Sequence, residues 1–286
     1  MERIVDGILF EGKRVANCFD VKTWSANGVM ERSIRPVMEW TELGPAPGPL
    51  FDLFGNLMEP TPASDAELEE KRQRKLQQSA MRAKTMCRRV IITEGFDELL
   101  TLTYRENQTD RDLCKAHFKE WYRRMKRALK TFRFCASFEV QQRGAMHIHI
   151  ATHKLPEHAH YKGVKIKAWQ LGTRIWRDIV GADNGLCFVG GKSKFGKGRR
   201  KNMSLAKMAS YVSKYIMKDY ENAPEQSNRY SRSNGTVVGE VHTMRLNGSL
   251  LDLMVVTFEC GEGDVIVSHR VGRFGDSAWL CTEAVT

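Results

Sequence analysis

From Met146 to Ile150 the chain reads Met-His-Ile-His-Ile, and that alternation restricts the backbone more than any other stretch. Successive side chains of an extended strand point to opposite faces, so His147 and His149 share one face while Met146, Ile148 and Ile150 share the other. A helix would turn the two imidazoles about 200° apart and leave the apolar residues without a common face. Phe132 to Gln141 reads as a second strand, and Arg143-Gly144 as the turn that joins the two, which brings Glu139 onto the hairpin. Two imidazoles on one strand face with a carboxylate on the adjoining strand form a donor set for a divalent metal. Gln141 has the same parity as Glu139 and is a neutral alternative. Packed or surface histidines are the plain counterpart to this reading.

Ser204 to Tyr220 is SLAKMASYVSKYIMKDY, without Gly or Pro, and it predicts a helix with two stripes. At about 100° per residue, Lys207, Tyr211, Lys214, Tyr215 and Lys218 fall within roughly a third of the circumference. Leu205, Ala209, Val212 and Ile216 fall to one side, ready to pack on a core. A phenol is a poor nucleophile unless a nearby cation offsets its charge, and Lys214 and Lys218 stand about one turn away. Half-buried tyrosines with their hydroxyls in solvent would give the same pattern.

Three stretches together resemble a known family. Gly144-Ala-Met-His-Ile-His-Ile150 is similar to the His-hydrophobic-His motif of the HUH endonucleases. Tyr211-Val-Ser-Lys-Tyr-Ile-Met-Lys218 is similar to the two-tyrosine motif of rolling-circle replication initiators, and Leu99-Leu-Thr-Leu-Thr-Tyr104 to the family's first motif. They occur in the family's order, across about Leu99 to Tyr220, and resemble most the phage gene A type with its filamentous-phage, prophage and plasmid relatives. The resemblance implies an α+β fold: a largely antiparallel sheet with packed helices, the histidine hairpin at its centre and the tyrosine helix across the site. It implies that His147, His149 and provisionally Glu139 hold Mg²⁺ or Mn²⁺. It further implies that Tyr211 or Tyr215, supported by Lys214 and Lys218, cuts single-stranded or hairpin origin DNA. The products would be a 5′-phosphotyrosine and a free 3′-OH, with later rejoining. By the same resemblance Tyr215 makes the initiating cut, a host helicase and polymerase are partners, no nucleotide is used, and the setting is a bacterial host cytosol. A transposase or conjugative relaxase would share this site, and a non-catalytic basic nucleic-acid-binding protein would share the charge.

The formal net charge is +11, which points to a polyanionic partner and to nucleic acid first. No apolar run approaches membrane-spanning length, and the start MERIVDGILFEGKR lacks the pattern of a signal peptide. Seven scattered cysteines without a CxxC argue against a disulfide framework or zinc ribbon. A metallohydrolase of the β-lactamase type needs Asp-His after the histidine pair, where Ala151-Thr152 stand. The run GGKSKFGKGRRK, residues 190–201, is a near miss for a phosphate-binding P-loop, because Gly198 stands where Ser or Thr should. Its Lys192, Lys194, Lys197, Arg199, Arg200 and Lys201 on a flexible, acid-free backbone suit phosphate gripping instead.

The chain divides into an N-terminal extension with a Pro-rich connector (1–62), a charged helix (63–95), a core that the resemblance makes the endonuclease domain (96–222) and a β-rich C-terminal extension (223–286). Ser64 and Glu67 form a capping box for the charged helix, expected to be solvated. Leu99–Tyr104 is expected as a strand beneath the site. Thr109 and Asp112 are expected to cap a helix whose inward stripe is Leu113, His117, Trp121, Met125 and Ala128. Lys165–Val180 suggests a helix with Ile166, Trp169, Ile175 and Trp176 inward, although Gly172 weakens it. Residues 185–189, 250–258 and 264–269 read as strands, His158-Ala-His160 as a loop, and Arg229, Tyr230 and Arg232 as candidate DNA contacts. Neutralising Lys192, Lys194, Lys197, Arg199 and Arg200 together should weaken DNA binding and flatten its salt dependence, by about 0.7 of a log–log unit for each single-strand phosphate no longer neutralised. Binding titrations at several salt concentrations measure that slope.

Overall fold

The hairpin predicted from the histidine alternation is the middle of an antiparallel sheet. In the computed structural model its strands are Phe134–Val140 and Met146–Thr152, with Gly144 in the left-handed region (φ 84°) at the turn. The structure describes residues 1–46, 50–51, 57–58, 64–190, 203–218, 220, 228–259, 264–273 and 275–285. The strand order is Gly185–Val189, Glu98–Tyr104, Met146–Thr152, Phe134–Val140, Tyr230–Arg232, with every neighbour antiparallel. The fold is α+β.

Strand parity gives this sheet two different faces. One carries Leu100, Leu102, Tyr104, Phe134, Ala136, Phe138, Met146, Ile148 and Ile150, and the helices Arg111–Ala128 and Ala168–Val180 bury it in a single apolar core. The other carries Thr101, Thr103, Ser137, Glu139, His147 and His149. The tyrosine helix, Leu205–Lys218, packs there through Ala206, Met208, Ala209, Val212, Ser213 and Ile216. Burial of the first face fixes the register, because a slip of one residue would carry the whole apolar set into solvent.

Several local expectations change. Asp110, not Thr109, caps its helix, accepting from the backbone N–H groups of Asp112 and Leu113. The inward stripe of that helix is Cys114, Phe118, Trp121 and Met125, and Leu113 is exposed. Trp169 is exposed too, while Leu171, Gly172, Ile175 and Trp176 face inward. His158–Tyr161 is a strand rather than a loop, paired with Val164–Lys167. The long helix Asp65–Glu94 begins on the Ser64–Glu67 capping box, with bonds of 2.9 and 3.2 Å. It is not solvated throughout: Ala80, Cys87, Val90, Ile91 and Ile92 are fully buried.

The chain forms two compact units, residues 73–238 and residues 1–72 with 239–286. The sequence-based division sets the two ends apart, whereas they share one unit because their strands pair. Ile8–Ala26 and Val29–Pro45 form a long hairpin around Asn27-Gly28, both at positive φ as a two-residue turn requires. Ala278–Ala284 adds to the second of these strands and Asp264–Val271 adds to Ala278–Ala284. Residues 250–258, expected as a strand, lie in the helix Leu250–Glu259. Ser249 and Asp252 cap it reciprocally, and Leu250, Leu253 and Met254 turn inward onto Phe19, Val21 and Ile34.

The glycine that weakens the helix prediction at residue 172 has a packing reason. A Cβ there would stand 2.7 Å from Cys187 Sγ, and the Gly172 carbonyl accepts from Trp121 Nε1 at 3.0 Å. Helix propensity alone makes Gly172→Ala stabilising by about 1 kcal/mol. Overpacking of about 1–3 kcal/mol opposes it, so the variant should be less stable than wild type in urea denaturation.

Candidate active site

The hairpin register sets the site. Glu139 lies directly across from His147, and Ser137 directly across from His149. On the other flank Thr103 faces His147 and Thr101 faces His149. His149 Nε2 is 2.8 Å from Glu139 Oε2, and the other oxygen of that carboxylate accepts from Lys218 Nζ at 3.2 Å. One carboxylate therefore joins the histidine strand to the last turn of the tyrosine helix. Ser137 Oγ adds a second tie, donating to the Val212 carbonyl at 2.7 Å.

The tyrosines differ in setting. Tyr215 is 5 % exposed, and its ring stacks on His149 with centroids 3.9 Å apart and planes 10° from parallel. Tyr211 is half-buried and meets both rings edge-on, at 5.7 Å from His149 and 5.3 Å from Tyr215. Lys214 Nζ lies 4.3 Å from the Tyr211 centroid and 4.9 Å from that of Tyr215. Lys218 Nζ lies 5.4 Å from the Tyr215 ring. Burial pushes the Tyr215 phenol above its ordinary value, and its hydrogen bond to Tyr211 and the nearby Glu139 charge push the same way.

Burial works against the Glu139 charge, but the bonds to His149 and Lys218 outweigh it and hold the carboxyl below its usual range. His147 is lowered to about 4, first by burial and then by its neighbour His149, so it is a neutral imidazole at physiological pH. Its Nδ1 lies 3.0 Å from Gln141 Nε2, while its Nε2 is buried without a hydrogen-bond partner. An orphaned imidazole nitrogen beside an ionised carboxylate is chemically suited to a cation. In this conformation, however, no three His, Cys, Asp or Glu side chains among the described residues stand together as a ligand set. His149 Nε2 is engaged with Glu139, so a shared ion requires that bond to open.

Of the residues picked from the sequence, Glu139, His147, His149, Tyr211, Lys214, Tyr215 and Lys218 converge on one site. Lys192, Lys194, Lys197, Arg199, Arg200 and Lys201 lie outside the described residues. His153 follows the end of its strand and packs edge-on against Phe96 at 4.9 Å. Arg229 is buried and donates to the Tyr220 carbonyl at 3.2 Å, so it is spent within the fold. Ser137 is absent from the sequence-based set although it shares strand parity with Glu139. Thr101, whose Oγ1 is 3.5 Å from His149 Nδ1, could be placed only once the strand neighbours were known.

Because folded His147 resists protonation, the unfolded chain takes up a proton there first, from about pH 6.5 downward. That group therefore costs stability as pH falls from 6.5 to about 4. Glu139, with its lowered value, contributes stability that is lost at still lower pH. In the presence of chelator, His147→Asn should flatten the decline between pH 6.5 and 4 and leave the more acidic limb, as read by urea denaturation across that range.

Among the described residues no helix is long and apolar enough to cross a membrane. No curated protein and no solved structure matches the chain. Residues 97–220, which hold both motif strands and the tyrosine helix, match the family model of a replication-associated protein, that of the ORF2 and gene 2 protein type.

Proposed function

We propose that this chain is a rolling-circle replication initiator of the HUH two-tyrosine type, which nicks single-stranded DNA by tyrosine transesterification and rejoins the ends. The observation that carries the reading is the convergence of two phenols, two lysines and two imidazoles about the Glu139 carboxylate. The family match to a replication-associated protein supports it, as does the charge of +11.

His147, His149 and Glu139 would hold a divalent cation, Mg²⁺ or Mn²⁺, and the mixed nitrogen and oxygen donors suit Mn²⁺ better. Bound there, the ion supplies Lewis-acid polarisation of the scissile phosphate. The phenol oxygen attacks phosphorus and its proton passes to water. The phosphorus–O3′ bond breaks, and the 3′ oxygen leaves as a hydroxyl once protonated. The phosphodiester energy is conserved in the phosphotyrosine, so no nucleotide is consumed. The free 3′-OH can be extended by a host polymerase behind a host helicase. The second phenol then cuts the regenerated origin, and the released 3′-OH attacks the first phosphotyrosine to close the circle.

The resemblance ranks Tyr215 first, but burial supports the reverse order. Tyr211 is the more exposed, lies closer to Lys214, and can receive a hydrogen bond from the neutral Tyr215 hydroxyl. Tyr215 becomes available when the His149 stack and the Glu139–His149 bond open together.

The test is incubation with labelled single-stranded origin DNA and detection of a covalent, protease-sensitive adduct. EDTA should abolish it. His147→Ala should lower cleavage by more than about 100-fold while leaving DNA binding, beyond the 10–100-fold typical of losing a group that only supports a metal ligand. Tyr211→Phe should suppress the first nick more than Tyr215→Phe does. Full activity of a His147→Ala/His149→Ala variant would refute the mechanism.

A further inference from the structure

The catalytic face extends past the residues that do the chemistry. In strand register, one row across the sheet is Phe188, Thr101, His149, Ser137, and the next is Leu186, Thr103, His147, Glu139. The first residue of each row lies on the edge strand Gly185–Val189, and both are open to solvent: Phe188 is 43 % exposed and Leu186 41 %. At about 4.8 Å per strand, Phe188 stands on the order of 10 Å from His149. That is the reach from a phosphate held at the histidines to the base of a neighbouring nucleotide.

The edge strand is held rigidly. Any Cβ at Gly185 would meet Trp176 Cδ1, and Trp176 Nε1 donates to the Thr103 carbonyl at 2.9 Å. Thr173 Oγ1 donates to the Cys187 carbonyl and accepts from the Cys187 N–H, each at 3.1 Å. Cys187 is buried in the core on the opposite face, so strand alternation fixes Phe188 and Leu186 onto the histidine side. Isolated exposed apolar residues are common on proteins. Two adjacent ones at the ends of the histidine rows, which are otherwise made of Thr, Ser, His and Glu, form a local aromatic and aliphatic floor.

We propose that Phe188, flanked by Leu186, is a stacking platform for a nucleobase beside the scissile phosphate, with Thr101 and Thr103 between base and phosphate. This rests on the DNA-cleaving reading for the position of the phosphate. Base–aromatic stacking is sequence-tolerant, so the platform positions the strand and does not select the origin.

The test uses the full chain carrying Tyr211→Phe and Tyr215→Phe, so that binding is read without cleavage, and a thymidylate oligonucleotide containing 2-aminopurine. Stacking on Phe188 should quench the 2-aminopurine fluorescence. Phe188→Leu, which keeps apolar bulk without a π-face, should relieve the quenching and weaken binding by about 5- to 100-fold. Phe188→Tyr should restore both, which a merely structural role would not predict from ring chemistry alone. Equal quenching and affinity in Phe188→Leu and in Phe188 itself would overturn the platform. Failure of the tyrosine chemistry is a separate result, read as absence of an adduct with the unsubstituted protein while the quenching persists.

Discussion

The Glu139 carboxylate is the joint on which the site depends. One oxygen meets His149 on the central strand and the other accepts from Lys218 on the tyrosine helix. The two halves of the joint differ in strength. The His149 side is almost fully buried, and a hydrogen bond to a charged group there contributes about 1.5–3 kcal/mol. The Lys218 side chain is 61 % exposed, and an ion pair of that kind is worth about 1 kcal/mol or less. Glu139 thus orients the imidazole firmly and tethers the helix lightly, and Ser137 and the apolar stripe from Ala206 to Ile216 do most of the holding. On the proposed mechanism, a light tether suits a helix whose phenols would each have to reach a phosphate in turn.

Beside the same joint, two tyrosines that the sequence presents as equivalents, each followed three residues later by a lysine, stand in different settings. Stacking on His149 and burial keep Tyr215 neutral and withdrawn. Tyr211, one turn earlier and half-buried, stands nearer Lys214. On the proposed mechanism, opening the Glu139–His149 contact would free an imidazole nitrogen for the ion, and that same imidazole carries the Tyr215 ring. Ligand assembly and release of the second phenol would then both run through one imidazole.

Much of this is legible in the chain because its signals are local. The His-Ile-His alternation places two imidazoles on one strand face, the Tyr-to-Tyr spacing places two phenols on one helix face, and Arg143-Gly144 marks the turn between the motif strands. What requires the structure is non-local. Nothing near Phe188 says that its strand lies beside Thr101, and nothing near Val29 says that its strand pairs with Ala278–Ala284. Two further local signals are present but weaker to the eye: Asn27-Gly28 marks a two-residue hairpin, and Ser249 with Asp252 marks the start of the helix expected as a strand. Helical spacing puts Trp169 and Leu113 inward, yet spacing gives the angle between side chains and not which sector meets the sheet.

The central claim is that the imidazole face and the tyrosine helix form one reaction centre. The most direct measurement is mass spectrometry of the peptide left attached to DNA after a single turnover on a labelled origin strand. The account predicts a nucleotide joined through its 5′ phosphate to Tyr211 in the first turnover, and to Tyr215 when Tyr211 is replaced by Phe. A 5′ linkage to any residue outside the helix Leu205–Lys218, or cleavage with no covalent peptide at all, would contradict it.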